Sequence, residues 1–245
     1  NDKLSLPGYV YRKLIGEVKA RAESRKETDM KQTVNAESPE EMATRTRAVR
    51  QDVHGIIKYI TATLLEVRPG FCSSPRITEM SATAVETLVF GEVYDYVMAE
   101  IVAETLEKDK CLESKLINLR TEAEAAGVQV DTHISEDAMQ SLKMITSQHS
   151  VAEKLRCSVE LLEYVSNEGS NANMGADCLL KLVCQHLALA SVPNLNAECV
   201  FLEEFARDQQ LLQGKEGYAL VTLQASLHFL NASQKLVDDI FHEDD

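Results

Sequence analysis

Apolar residues recur every three or four positions along most of the chain, the spacing of amphipathic helices rather than strands. Over 8–34, Tyr11, Leu14, Ile15, Val18 and Ala22 share a face, and the segment turns polar after Ala22. Ser38-Pro39-Glu40-Glu41 is a helix start, with Ser as cap, Pro at the first position and Glu three residues past the cap. The stripe Val49, Val53, Ile56, Ile57, Ile60 and Leu64 follows, ended by Arg68-Pro69-Gly70. These two helices read as an antiparallel pair. Residues 71–78, with two Ser and a Pro, read as a linker. The spacing then predicts a helix over 82–98 on Val85, Leu88, Val89, Val93, Tyr96 and Val97, and another over 106–125 on Leu112, Leu116 and Leu119.

The loop 127–131 carries two Val that would plug the core, and 135–146 is a short helix on Met139, Leu142 and Ile145. Ser150-Val151-Ala152-Glu153 is a capping box that opens a helix on Leu155, Val159, Leu162 and Val165. A polar loop, 167–173, precedes the most apolar part of the chain. The helix 176–190 has Leu179, Leu180, Leu182, Val183, Leu187 and Leu189 around nearly its whole circumference, which predicts burial at the centre of a bundle. Val192-Pro193-Asn194 breaks it, and 196–207 packs Val200, Phe201 and Phe205. Gly214-Lys215-Glu216-Gly217 reads as a turn. The next helix has a core stripe of Leu220, Leu223, Leu227 and Leu230, and a second face of Tyr218, Val221, Thr222 and Ala225. Residues 233–241 are amphipathic and lead into an acidic tail.

Composition agrees with an all-α fold. The 245 residues are 44% hydrophobic and 26% charged, with no Trp and only 10 Gly and 5 Pro. That length divides here into an N-terminal helical bundle or hairpin over 1–72 and a helical core over 78–245. The formal net charge of −14 changes the picture of partners. Residues 1–58 carry 12 Lys/Arg against 9 Asp/Glu, whereas 59–245 carry 13 against 30. The acidic body repels nucleic acid phosphates and anionic headgroups and suits a basic protein surface. No apolar run reaches the ~18–20 residues of a membrane span, and no signal peptide is visible. The six Cys lack C-x-x-C spacing and read as reduced thiols of an intracellular protein. The start at Asn1 rather than Met reads as a piece of something longer.

Covalent chemistry leaves no trace in the sequence. There is no phosphate-binding Gly loop, no H-E-x-x-H, no G-x-S-x-G and no Cys/His zinc spacing, so neither a cofactor nor a metal is expected. His186 within the apolar helix reads as a satisfied core histidine. Two residues at helix starts stand out. Asp177 is either an acid complementing the helix dipole or a functional carboxylate, and Tyr218 is either a partly buried core tyrosine or a functional one.

At these residues the chain resembles the vacuolar protein sorting 9 (VPS-9) domain of exchange factors for Rab-5-class GTPases. The resemblance rests on Gly175-Ala176-Asp177 at a helix head, on the Val192-Pro193-Asn194 break, and on Gly214-Lys215-Glu216-Gly217-Tyr218 followed by Leu223-Gln224-Ala225-Ser226-Leu227. Val85 to Val97 and Lys154-Leu155-Arg156-Cys157 look like the helices leading into it, so that it covers about 80–235. The resemblance implies an aspartate finger at Asp177 and a catalytic tyrosine at Tyr218, with Lys181, Val221, Thr222 and Ala225 on the partner surface. It implies catalysed GDP release without covalent chemistry, in the cytoplasm and on early endosomes. The chain departs from the family pattern at Cys178, Lys181 and Val221, where Asp, Pro and Thr are usual. A degenerate module that binds a Rab or another protein as a scaffold is the alternative, and an acidic helical adaptor a third.

Overall fold

The structure is a computed structural model and describes residues 6–31, 48–125, 134–168, 175–207, 214–232 and 240. Among the described residues there are eight α-helices, one 3-10 turn and no strand. They are α1 (Leu6–Lys31), α2 (Ala48–Val67), α3 (Pro75–Ala125), α4 (Glu136–Ser147), α5 (Val151–Glu168), α6 (Ala176–Ala190), α7 (Leu195–Phe205) and α8 (Lys215–Ala232). The 3-10 turn is Pro69–Cys72. The chain forms two compact units, 1–104 and 105–245.

In the first unit, α1 and α2 pack on each other and on the first part of α3. Ile15, Val18 and Ala22 meet Val49, Val53, Ile56 and Ile60 in a buried layer with Val85, Val89, Phe90, Val93 and Val97. Leu88, expected on that stripe, is half exposed, while Phe90 and Tyr94 are buried in its place. Val85, Val89, Val93 and Val97 face inward as expected, so the buried face of α3 is displaced to one side of the simple stripe rather than reversed, and Leu88 contributes its carbonyl to the Tyr11 hydroxyl at 3.0 Å. Glu100 accepts from the backbone N–H groups of Val49 and Arg50 at 3.2 and 3.3 Å, capping α2 from a neighbouring helix. The buried Arg50 guanidinium donates to Glu104.

The two helices expected over 82–98 and 106–125 are one helix, α3. The bridging residues Ala99-Glu100-Ile101-Val102-Ala103-Glu104-Thr105 contain neither Gly nor Pro, and Ile101 and Thr105 are buried, so nothing stops the helix there. The stretch expected as a linker over 71–78 is a tight elbow instead. Ser74 Oγ accepts from the Ile77 N–H at 3.3 Å and Pro75 takes the first helical position.

The second unit is a layered helical core. Leu112, Leu116 and Leu119 of α3 meet Leu142 and Ile145 of α4, Leu161 and Val165 of α5, Val183 and Leu187 of α6, and Leu223, Leu227 and Leu230 of α8 in one buried cluster. Ser135 caps α4 by accepting from Ala138 N–H at 3.3 Å. Half of the expected capping box at α5 forms: Glu153 N–H donates to Ser150 Oγ at 3.3 Å, while the Glu153 carboxylate accepts from the Ser150 hydroxyl at 2.9 Å rather than from the Ser150 backbone. The Ser38 helix start, the 127–131 loop, 169–173 and the C-terminal piece except Ile240 lie outside the described residues. Ile240 is buried in the same cluster. Among the described residues no helix is long and apolar enough to cross a membrane, and all six cysteines are free thiols.

Candidate functional site

The first turn of α6 is built around a residue without a side chain. Gly175 is the N-cap, in an extended conformation, and its carbonyl accepts from Leu179 N–H at 3.1 Å. Asp177 is the second helical residue and is exposed. It makes no hydrogen bond or ion pair among the described residues, so the reading in which it caps the helix backbone is not the one built. Its charge sits in the favourable field of the free N–H groups at the helix start and points away from the core.

Past that turn α6 is not buried all round, contrary to the expectation from its Leu content. Leu182, Val183, Leu187 and Ala190 are buried, but Ala176, Asp177 and Cys178 are exposed and Lys181, Gln185 and Leu189 half-buried. Lys181 and Gln185, four residues apart, break the apolar circumference and leave an open strip leading to Asp177. Lys181 is one turn from Asp177, and no ion pair joins the two. The Gln185 amide donates to the Ile240 carbonyl at 2.9 Å.

The residues 214–217 were expected as a turn, yet the helix α8 already begins at Lys215. Tyr218 N–H donates to Gly214 C=O at 3.2 Å, so the turn contracts to Gly214 and Tyr218 sits at the end of the first helical turn. The Lys215 ammonium pairs with Glu163 of α5 at 2.7 Å and anchors the start. Beyond it the two expected faces separate cleanly. Leu220, Leu223, Leu227 and Leu230 are buried, whereas Tyr218 is 56% and Val221 60% exposed, with Ala225 exposed and Thr222 half-buried. Tyr218 is thus a surface ring rather than a core one. The Thr222 hydroxyl donates to the Tyr218 carbonyl at 2.8 Å within the helix.

Contacts at three levels show that α6 and α8 run parallel and present Asp177 and Tyr218 at the same end. Midway, the Cys184 thiol lies 3.7 Å from the Ser226 carbonyl. At the C-terminal ends, Asn231 of α8 donates to Asn196 at 3.4 Å, just past the break that ends α6. At the other end, the Lys215–Glu163 pair ties the head of α8 to the last turns of α5, whose end leads into α6. From the Cys184–Ser226 contact, Asp177 lies seven residues back and Tyr218 eight, about 10.5 and 12 Å along their helices. A seven-residue step returns almost to the same side of a helix, so Asp177 stands over the seam between α6 and α8. Cys184, Ala188, Ala219 and Ser226 on these two helices are small and all buried.

Toward the C-terminal ends of α6 and α8, the frame is fixed by groups whose pairing is not visible in the sequence. Lys154 of α5 is fully buried and donates to Glu198 of α7 at 2.5 Å and to the Ile145 carbonyl at 2.6 Å, with its ammonium 5.5 Å from the Phe201 ring centroid. Burial pushes its pKa below the ordinary lysine value although Glu198 pulls the other way. Asp109 of α3 accepts at 2.8 Å from the backbone N–H of Asn196, and so caps α7, whose own N-cap Asn194 makes no capping bond. His186 is the satisfied core histidine expected: Nδ1 lies 2.7 Å from Leu182 C=O, and Nε2 accepts from Ser135 N–H at 3.0 Å. Both ring nitrogens are engaged, which leaves no lone pair for a metal. Burial raises the Cys184 thiol to about 12, so the seam cysteine is a packing group rather than a nucleophile.

Residues 135–235 match the family model described as the vacuolar sorting protein 9 (VPS9) domain. That span opens at the cap of α4 and ends just past α8, enclosing both Asp177 and Tyr218. No curated protein matches the chain. Such a domain implies guanine nucleotide exchange on a Rab GTPase, and hence a small GTPase as partner.

Proposed function

The chain carries a VPS9 domain, and on that premise we propose that it releases GDP from a Rab-5-class GTPase, with Asp177 as the acidic finger and Tyr218 as its aromatic companion. The observation that carries this reading is the parallel pairing of α6 and α8. It sets an exposed carboxylate with no partner among the described residues beside an exposed Tyr218–Val221–Ala225 face at one end of the unit. A Rab holds its nucleotide through a P-loop lysine and a Mg²⁺ bridging the phosphates. A carboxylate brought to that place repels the phosphates, disfavours the metal and offers the lysine another partner. The apolar part of the α8 face suits the hydrophobic switch surface of a GTPase, and the anionic body suits basic groups around it. Exchange follows from tighter binding to the nucleotide-free state, a coupling of two binding equilibria with no covalent step. Lys181 places a cation one turn from the finger, which would weaken its attraction for the P-loop lysine. On this reading the protein acts in the cytoplasm and at early endosomes.

The test is release of fluorescent GDP from a panel of Rab GTPases. Acceleration of a Rab-5-class member, abolished in both Asp177→Ala and Tyr218→Ala, supports the proposal. Capture of a nucleotide-free Rab with no acceleration by the intact chain would replace it with the scaffold reading.

A further inference from the structure

The elbow between α2 and α3 in the first unit combines features that serve no purpose in holding that unit together. Every residue from Glu66 to Ser73 is exposed, as are Pro75, Arg76 and Ile77. Four large apolar side chains project there: Val67 at 42% exposure, Phe71 at 40%, Ile77 at 39% and Met80 at 62%. Between Glu66 and Glu79 the chain carries Arg68 and Arg76 and no acid, in a protein whose net charge is −14. Neither guanidinium makes an ion pair among the described residues. The backbone of the elbow is closed upon itself. Arg68 N–H donates to Leu64 C=O at 2.9 Å, Phe71 N–H to Arg68 C=O at 2.9 Å, Ser73 N–H to Gly70 C=O at 3.3 Å and Thr78 N–H to Ser74 C=O at 3.0 Å. The Thr78 hydroxyl donates to the Phe71 carbonyl at 3.0 Å.

We propose that the elbow, residues 67–78, is a lipid-docking tip that seats in the headgroup region of an anionic bilayer, led by Phe71. Leaving water is costly for unpaired backbone groups, and the hydrogen bonds above remove much of that cost. Phe71, Val67 and Ile77 supply apolar area to the acyl boundary while Arg68 and Arg76 stay at the level of the phosphates. Residues 59–245 carry 13 Lys/Arg against 30 Asp/Glu, and within that acidic body the stretch 67–78 holds Arg68 and Arg76 with no acid, so attraction to the surface falls there. A bilayer suits the elbow better than a protein partner because exposed apolar side chains and guanidinium groups unpaired among the described residues share one short turn, the pairing that an acyl boundary under a phosphate layer takes up. The inference does not depend on the exchange reading, since none of these residues belongs to the α6–α8 site.

The chain has no Trp, so Phe71→Trp in the full chain is a single-site reporter. Its emission is expected to shift to the blue with phosphatidylcholine–phosphatidylserine vesicles, and to be quenched by bromine-labelled acyl chains. In co-sedimentation the unaltered chain partitions more strongly to vesicles containing phosphatidylserine than to phosphatidylcholine alone. Phe71→Ser lowers partitioning roughly tenfold through lost apolar area. Arg68→Gln and Arg76→Gln lower it about fivefold each. All are surface substitutions, so circular dichroism should be unchanged. Absence of vesicle binding, equal partitioning of the Phe71→Ser variant, or a Phe71→Trp spectrum that ignores vesicles would each overturn the assignment. So would a shift that requires an added GTPase and no lipid, since that places a protein on the tip.

Discussion

Removing the buried ammonium of Lys154 should damage the second unit far more than its single position suggests. The group donates to Glu198 and to the Ile145 carbonyl, lies against Phe201, and has no access to water. At 2.5 Å and an effective dielectric near 20, the Coulomb attraction of such a pair is of order 6–7 kcal/mol. Desolvating two ions costs several kcal/mol each, so the pair as a whole contributes little net stability. Breaking it from one side is another matter. Lys154→Met keeps the volume but strands the Glu198 carboxylate in the core and takes one donor from Ile145, at a cost of about 3–5 kcal/mol. Glu198→Leu strands the ammonium at a similar cost. The double variant Lys154→Met with Glu198→Leu leaves no buried charge, and its stability should return to within about 1–2 kcal/mol of the parent or exceed it.

The cysteines supply an assay confined to the right unit. Cys157, Cys184 and Cys199 are buried, and all lie beyond residue 105, whereas Cys72, Cys111 and Cys178 are exposed. A thiol reagent therefore labels three groups in the folded chain and reaches the other three only as the second unit opens. Titrating that second labelling step against urea measures each variant. The reasoning is refuted if Lys154→Met costs less than about 1 kcal/mol, or if the double variant loses the sum of the two single losses. The pH dependence has a definite sign. The lysine pKa is lowered in the folded state from 10.5. Between the lowered value and 10.5 the unfolded chain binds the proton more tightly, so the Lys154 contribution favours folding as pH rises through that window and is least favourable below it. The double variant should lack this rise.

Other expectations follow from the exposed end of the unit and from the histidine behind it. Asp177→Ala and Tyr218→Ala should abolish accelerated GDP release yet shift stability by no more than about 0.5–1 kcal/mol in thermal melts, because both side chains are exposed. Lys181→Ala should raise the release rate about two- to threefold at low salt by removing a cation one helical turn from the finger, and the gain should shrink as salt is added. His186→Leu leaves the buried Ser135 N–H without its acceptor and should cost about 1–3 kcal/mol, read by the same thiol assay.

The helices were legible because core Leu and Val residues recur at helical spacing and because Ser135, Ser150 and Pro69 mark real boundaries. Two kinds of error have physical causes. The apolar spacing places a boundary between 98 and 106 and a turn at 214–217, but Ala99 to Thr105 and Gly217 are compatible with a continuous helix, so α3 runs through and α8 begins early. Circumferential burial of α6 was inferred from its six apolar positions, although Lys181 and Gln185 were already in the sequence to open one side.

The candidate site divides along the same line. The outward face of α8 could be read from the i, i+3, i+4, i+7 spacing of Tyr218, Val221, Thr222 and Ala225, because it depends on one helix only. Its alignment with Asp177 could not, because it depends on helix direction, which only long-range contacts fix. Cys184 against Ser226, Asn231 against Asn196 and Lys215 against Glu163 are separated by 42, 35 and 52 residues. Lys154 was illegible for a related reason. A lysine at a core position of an amphipathic stripe is ordinarily a surface residue at the edge of that stripe. Only Glu198, arriving from another helix 44 residues later, makes its burial tolerable. The end of the unit that presents Asp177 and Tyr218 is therefore specified by pairwise polar contacts between distant segments. Substitutions at Lys215, Glu163 or Asn196, none of which lies on the presented face, are where the relative aim of finger and tyrosine can be altered without touching either.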